Sequence, residues 1–211
     1  MGVIWTLSGF LGLESDWDFL PWPHKEVERR ALSPPDMLGG LRARRSTGDV
    51  LLGYSAGGRL ALRVLETQSV QKAIIVSAGL NAPDDERRKR DEEWARRFES
   101  EEWPSLMRAW NAQPVFGGHA LERREEDYDR AELARQMREY SPAVLPPPRL
   151  EQIETPILWI AGERDAKYVD VARRAVARLP HAELWICPDA GHRVPWEQPD
   201  SFVSRLRDFL E

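Results

Sequence analysis

Short apolar runs alternate along the chain with longer stretches in which apolar residues recur every three or four positions. The runs predict strands and the longer stretches predict amphipathic helices. The predicted strands are residues 2–7, a weaker one near 27–32, then 49–52, 73–76, 157–160 and 183–186. We interpret the last three as strands of the buried kind. This alternation is typical of an α/β protein with a mostly parallel sheet and helices on both faces.

The pattern changes between residues 81 and 149. Nearly half of residues 81–140 are charged, yet aromatic residues such as Trp94, Phe98, Trp103 and Trp110 recur there at helical spacing. A disordered segment would be poor in aromatic residues, so several amphipathic helices are predicted. We therefore predict a helical lid at 81–149, inserted into an α/β core formed by residues 1–80 and 150–211.

Composition excludes several classes of protein. A chain of 211 residues with 42% hydrophobic residues can bury one substantial core, and 30 Lys and Arg against 35 Asp and Glu give no basic field for nucleic acid. No apolar run approaches the roughly 20 residues of a membrane span, and no signal peptide is visible, so we expect a cytoplasmic protein with no nucleic-acid or membrane partner. The sequence leaves the oligomeric state open.

Cys187 is the single cysteine of the chain. It cannot form an internal disulfide or, alone, a thiolate metal site, and we interpret it as a small apolar residue in a strand. No metal and no cofactor are expected.

The strongest local motif is Gly53-Tyr54-Ser55-Ala56-Gly57, a G-x-S-x-G between a predicted strand and a predicted helix. Small residues on both sides of a serine permit the sharp turn that exposes a nucleophilic hydroxyl. A glycine-rich turn could instead cradle a phosphate, but the chain has neither G-x-G-x-x-G nor a Lys followed by Ser or Thr at this place. The motif therefore predicts a nucleophile elbow.

A serine hydroxyl needs a base, and the base needs a carboxylate to hold it. Asp165 follows the strand predicted at 157–160, and His192 follows the strand predicted at 183–186. The order Ser, Asp, His, each after its own strand, resembles that of the α/β-hydrolases. Taken singly, Asp165 could cap the next helix and His192 could be a surface loop residue. In such enzymes two backbone N–H groups stabilise an oxyanion, and here they would be those of Phe10 and Ala56.

A further resemblance covers nearly the whole chain. The matching segments are residues 53–62, Glu86-Arg87 with Arg90-Asp91 and Trp94-Ala95, Trp110 with residues 113–116, residues 162–165 with Lys167-Tyr168, and Ala190-Gly191-His192. Together they resemble the SHCHC synthases, which belong to the menaquinone pathway within the α/β-hydrolase superfamily. The resemblance implies a carbon–oxygen lyase that eliminates pyruvate from 2-succinyl-5-enolpyruvyl-6-hydroxy-3-cyclohexene-1-carboxylate to give 2-succinyl-6-hydroxy-2,4-cyclohexadiene-1-carboxylate.

By that resemblance Ser55, assisted by His192 and Asp165, acts as a base on a ring proton. The small-molecule substrate is a polycarboxylate, and the positions that match the family's binding residues are Tyr54, Arg59, Arg87, Trp110 and Arg135. Arginine forks match carboxylates, although an arginine of the charged segment could equally lie on a solvated helix face and Trp110 could belong to a core.

The chain departs from the family at Ser8-Gly9, where a His-Gly pair is usual, so a hydrogen bond that steadies the oxyanion loop is expected to differ. Two other functions stay open. The triad alone is compatible with a hydrolase of carboxylic esters or carbon–carbon bonds. The change at Ser8 is compatible with a non-catalytic binding protein that keeps the hydrolase fold.

Overall fold

The computed structural model describes residues 2–27, 48–80 and 82–211. Within these residues six strands form one sheet: β1 (Ile4–Leu7), β2 (His24–Glu26), β3 (Val50–Tyr54), β4 (Lys72–Val76), β5 (Ile157–Gly162) and β6 (Ala182–Cys187). The strand order is β2-β1-β3-β4-β5-β6, and every neighbouring pair is parallel. The predicted parallel α/β sheet is confirmed, and five predicted strands lie within two residues of their observed bounds. The weaker strand expected near 27–32 lies outside the described residues, apart from Val27, which follows β2.

Seven α-helices accompany the sheet in the described part of the chain. They are α1 (Ala56–Leu65), α2 (Asp85–Ser100), α3 (Trp103–Asn111), α4 (Arg130–Glu139), α5 (Ala166–Val176), α6 (Val194–Glu197) and α7 (Pro199–Leu210). None of the helices that the structure describes is both long and apolar enough to cross a membrane.

The central strands are buried on both faces. One set of alternate residues, such as Leu52 and Ile160, packs with Phe202 and other apolar residues of α7. The residues between them, such as Leu51 and Trp159, are equally buried and point to the opposite face, where α1 packs against β3 and α5 against β5. A parallel sheet covered on both faces is therefore built from near-continuous apolar runs.

Strand β6 differs from its prediction as a buried strand. Residues 183–186 are half-buried or exposed, and only Cys187 at its end is fully buried. The reason is its position at the end of the strand order, where β5 is its one neighbour among the described strands. Its apolar sequence therefore gave too high an expectation of burial.

The chain divides into two compact units, one formed by Met1–Gly79 with Pro148–Glu211 and the other by Leu80–Pro147. The second unit differs from the predicted 81–149 insertion by one residue at its start and two at its end. Its core is aromatic: Phe98 is fully buried, and its ring centroid lies 5.6 Å from that of Trp110 and 6.5 Å from that of Trp103.

Charged residues join two helices of this second unit. Arg138 of α4 donates to Glu92 and Glu99 of α2 at 2.8 and 2.6 Å, and these hydrogen bonds lower the pKa of both carboxyl groups below the ordinary Glu value. The many charges of the segment are thus compatible with ordered helices.

Glycine lets α1 approach the sheet closely. A Cβ on Gly57 would overlap the backbone carbonyl of Leu7, and a Cβ on Gly53 would lie 2.7 Å from the Cβ of Ala61. Neither obstacle is the flexible end of a long side chain, so neither can move aside cheaply. The small residues of the motif therefore have a packing reason in addition to the turn.

We expect Gly57→Ala to lower the free energy of unfolding by about 3 kcal/mol, because the added methyl group forces α1 away from β1. Chemical denaturation followed by circular dichroism measures the change. The control is Gly117→Ala, where a Cβ meets no atom within 4 Å and only the positive φ of 56° is unfavourable; its expected cost is about 1 kcal/mol. Equal losses in the two variants would contradict the close approach.

Candidate active site

Three side chains from separate loops form a continuous hydrogen-bonded chain. The Nε2 atom of His192 lies 3.1 Å from Oγ of Ser55, and its Nδ1 atom lies 2.7 Å from Oδ2 of Asp165. A carboxylate only accepts, so Nδ1 carries the proton that His192 donates to Asp165, and Nε2 of the neutral ring is left to accept from the Ser55 hydroxyl. Only 2% of His192 is exposed, so water competes little for these bonds.

The sheet places these residues at one edge. Ser55 directly follows β3, Asp165 follows β5 by three residues and His192 follows β6 by five. Because β3 to β6 are parallel neighbours, their carboxyl ends lie at the same edge of the sheet, where open α/β sheets bind ligands.

Backbone strain is concentrated at the same edge. Among the described non-glycine residues, φ is positive at Leu11, Ser55, Ser77 and Asp189, and each lies in the loop after a strand. Ser55 has φ 51° and ψ −111°, outside the helical and extended regions. Such conformations cost about 1–3 kcal/mol each and persist only where the surrounding structure enforces them. The sharp turn predicted at the G-x-S-x-G motif is present.

Asp165 has both of the roles that the sequence left open. Its Oδ2 atom accepts from His192, while its Oδ1 atom accepts from the backbone N–H of Tyr168 at the start of α5. The cap fixes the carboxylate, and the fixed carboxylate orients the imidazole.

The ring of His192 lies against two tyrosines. Its centroid is 4.5 Å from that of Tyr168 and 5.7 Å from that of Tyr54. Burial raises the pKa of the Tyr54 hydroxyl well above its ordinary value, and Arg193 opposes this shift through its charge and a side-chain hydrogen bond. Tyr54 is therefore a neutral phenol that is only 5% exposed and directly precedes Ser55.

The loop after β1 lies against the serine turn. A Cβ on Gly9 would lie 2.7 Å from the Tyr54 ring and 3.5 Å from the Cβ of Ser55. The next residue, Phe10, belongs to this loop, and Ala56 is the first residue of α1, whose N–H points out of the helix start. The two backbone groups expected to stabilise an oxyanion thus belong to segments that meet at Ser55.

Glu197 was not singled out by sequence reasoning. Its carboxylate accepts the N–H groups of Gly191 and Arg193 at 2.8 and 3.0 Å, on either side of His192, and a hydrogen bond from Arg164 at 3.2 Å. It therefore joins the loop that carries the histidine to the loop that carries Asp165. Four residues separate it from His192 in the sequence, but no local pattern shows that its carboxylate turns back to the loop.

The predicted binding residues are divided between the two units. Tyr54 and Arg59 lie at the serine turn and on α1 in the first unit. Arg87, Trp110 and Arg135 lie in the second. Trp110 is 9% exposed and packs its ring edge-on at 5.0 Å from Trp94, so it completes the aromatic core of that unit.

The arginines of the second unit already have carboxylate partners. Arg87 uses Nε to donate to both oxygens of Asp91, which leaves its terminal Nη groups for a second carboxylate. Arg135 uses Nε and Nη2 on Glu132 and Nη1 on Glu139. All three nitrogens of the Arg135 guanidinium thus donate to carboxylates, whereas only Nε of Arg87 does.

Cys187 is fully buried at the end of β6, five residues before His192. Burial raises the pKa of its thiol to about 11, and the nearby carboxylates of Glu197, Asp189 and Glu163 act in the same direction. The thiol is therefore not a second nucleophile. Among the described residues, no three His, Cys, Asp or Glu side chains are grouped as a metal site requires.

Comparisons with known proteins show the family of the chain. The model of the alpha/beta hydrolase family matches residues 3–205. The 2-succinyl-6-hydroxy-2,4-cyclohexadiene-1-carboxylate synthase of Escherichia coli O7:K1 is 32% identical over 76% of this chain and 67% of its own, and the synthase of Serratia proteamaculans is 31% identical over the same shares.

Solved structures show the same fold. MenH from S. aureus superposes with a TM-score of 0.80, at 20% identity over 99% of this chain and 92% of its own. An esterase from Exiguobacterium antarcticum superposes with a TM-score of 0.70, at 16% identity over 99% and 91%.

We expect Cys187 to resist iodoacetamide at pH 8 in the folded protein, because about one thiol in a thousand is ionised three pH units below its pKa and the sulfur is buried. In urea the same thiol is exposed, its pKa returns to the ordinary range, and alkylation should be complete. Intact-protein mass spectrometry measures both reactions. Alkylation of the folded protein at the rate found in urea would contradict the raised pKa.

Proposed function

Because the chain belongs to the α/β-hydrolase family, and within it to the 2-succinyl-6-hydroxy-2,4-cyclohexadiene-1-carboxylate (SHCHC) synthases, we propose that it eliminates pyruvate from 2-succinyl-5-enolpyruvyl-6-hydroxy-3-cyclohexene-1-carboxylate. The observation that carries the proposal is the hydrogen-bonded chain of Ser55, His192 and Asp165, in a protein whose relatives are named for this product.

The serine acts as a base in this proposal. The Ser55 hydroxyl gives its proton to Nε2 of His192 and takes the ring proton next to the succinyl carbonyl. The electron pair of that carbon–hydrogen bond moves through the ring, and the carbon–oxygen bond to the enolpyruvyl group breaks. The imidazolium formed in this way is stabilised by Asp165 at 2.7 Å. The leaving group departs as an enolate, takes the proton from this imidazolium and tautomerises to pyruvate, which restores the neutral triad.

Negative charge develops on the succinyl carbonyl oxygen as the ring proton leaves. The N–H groups of Phe10 and Ala56 are the proposed donors to that oxygen. Donors that are fixed in place before the reaction stabilise the transition state more than the ground state, and removing one typically lowers turnover by roughly 100- to 1000-fold.

The substrate carries three carboxylates, which we propose to be recognised by arginines. Arg59, on the first turn of α1, and Arg87, with its terminal groups left for a ligand, are the better supported candidates. Arg135 would first have to release Glu132 or Glu139. Tyr54 and Trp110 would add apolar contact area.

Ester hydrolysis is the second candidate, because the same three side chains would also activate a serine nucleophile. The two activities differ in what Ser55 attacks, a carbonyl carbon in one and a proton in the other. A binding protein without turnover is the third outcome, and it requires ligand binding that persists in Ser55→Ala.

We expect Ser55→Ala to lower kcat by about 100- to 10,000-fold, because it removes the positioned base. The test follows the absorbance of the conjugated diene product, corrected for the slow spontaneous elimination. Ser204→Ala, an exposed serine on α7, is the matched control and should behave as the wild type. Rapid hydrolysis of p-nitrophenyl esters by a wild type without lyase activity would favour ester hydrolysis. Retained turnover in Ser55→Ala would exclude Ser55 as the base.

We expect Arg87→Ala to lower kcat/KM by about 10-fold or more, since a charged hydrogen bond to a carboxylate contributes about 1.5–3 kcal/mol. Arg135→Ala is the matched comparison and should have a smaller effect, because its guanidinium is occupied within α4. Thermal unfolding is measured in parallel, because Arg87→Ala also removes a partner of the buried Asp91. An unchanged kcat/KM in Arg87→Ala would mean that Arg87 does not bind the substrate and forms only a structural ion pair.

A further inference from the structure

The residue at which the chain departs from the family, Ser8, has a complete set of hydrogen bonds. Its hydroxyl donates to Glu26 at 2.9 Å and accepts from the indole N–H of Trp17 at 2.8 Å, and its backbone N–H donates to Glu26 at 3.0 Å. Thr6 donates a further hydrogen bond to the same carboxylate at 2.6 Å. Ser8 is only 1% exposed, so these bonds are shielded from water.

The directions of these bonds follow from the groups involved. An indole N–H can only donate and an ionised carboxylate can only accept, so the Ser8 hydroxyl must point to Glu26. The two carboxylate oxygens of Glu26 thus hold both the backbone N–H and the side chain of one residue. Bonds to an ionised partner are about twice as strong as bonds between neutral groups.

Strand register brings this carboxylate to the loop. Glu26 is the last residue of β2 and is paired with Thr6 of β1, so its side chain reaches the residues that immediately follow β1. In the family pattern a histidine occupies the place of Ser8. Here the short hydroxyl and a glutamate from the neighbouring strand supply the hydrogen bonds at that point of the loop.

Other residues of the loop after β1 pack against Ser8. A Cβ on Gly12 would overlap the Cβ of Ser8, and the N–H of Gly12 donates to the carbonyl of Gly9 at 2.9 Å. Gly9 in turn lies against Tyr54 and Ser55. A shift of Ser8 would therefore move Phe10, which lies between these two glycines.

We propose that Glu26 is a positioning residue for the oxyanion loop, holding Ser8 so that the N–H of Phe10 faces the oxygen on which charge develops. This role rests on the proposed function only in the identity of that oxygen, since a lyase and an ester hydrolase would need the same donor. Glu26 touches no reacting atom and acts through Ser8.

The test compares Glu26→Gln, Ser8→Ala and the double variant in the full-length chain. An amide carries no charge and offers one acceptor oxygen, so Glu26→Gln weakens the bonds to Ser8 while the residue keeps its size. We expect kcat to fall by about 10- to 100-fold, less than for the loss of the donor itself, with KM within about twofold of wild type. The kcat of the double variant should lie within about threefold of the kcat of the slower single variant, because both changes break the hydrogen bonds between Glu26 and Ser8.

Amide hydrogen exchange of a peptide covering residues 7–13 gives a readout that needs no substrate. Exchange should become faster in Glu26→Gln and Ser8→Ala, and stay at the wild-type rate in Glu151→Gln. Glu151 forms an exposed ion pair with Arg178 at 2.7 Å. It precedes β5 and so lies at the amino ends of the strands, whereas the site lies at their carboxyl ends. Glu151→Gln should also keep the wild-type kcat.

Unchanged exchange in residues 7–13 would overturn the proposal, and so would faster exchange with unchanged kcat or losses that multiply in the double variant. If circular dichroism shows that Glu26→Gln does not fold, Ser8→Ala decides by the same two measurements. Absence of lyase activity in the wild type would reject the proposed function alone. The kcat comparison would then use p-nitrophenyl acetate, and the exchange comparison would be unaffected.

Discussion

The turn at Ser55 is the constraint on which the rest of the site depends. The positive φ of Ser55 between β3 and α1 is unfavourable by itself, and it persists because α1 is held against β1 through the close approach at Gly57. The same approach brings the first turn of α1 beside the loop that follows β1. One packing contact therefore fixes the serine and one of the proposed oxyanion donors together.

Carboxylates hold the loops around this turn in a repeated way. Asp165 accepts from the imidazole of His192 and from a helix N–H, Glu197 accepts the two N–H groups beside His192, and Glu26 accepts the N–H and the hydroxyl of Ser8. In each case a charged acceptor satisfies backbone or hydroxyl donors that loops cannot satisfy by themselves. The loops at the carboxyl edge of the sheet thus keep defined shapes without regular secondary structure.

The second unit shows how a segment with many charges forms a core. Its aromatic residues lie on the inner faces of α2 and α3, and its arginines are largely paired with carboxylates one helical turn away or on a neighbouring helix. The buried Asp91 accepts from both Arg87 and Ser141, which joins α2 to the segment after α4. Exposed pairs of this kind contribute little stability each, so the aromatic packing is the main source of order.

The sequence by itself determined the strands, their alternation with helices, the sharp turn at Ser55 and the positions of Asp165 and His192 after strand ends. These features depend on local periodicity, on glycine and on chain order, all of which are visible in a single sequence. The partial exposure of β6 was not visible, because an apolar run does not reveal which strand has only one neighbour. Only the tertiary structure decided which charges act at the site: Glu26 and Glu197 look like any other surface glutamates in the sequence. A hydrogen bond requires two atoms within about 3 Å, and that distance depends on strand register and on the path of the loops.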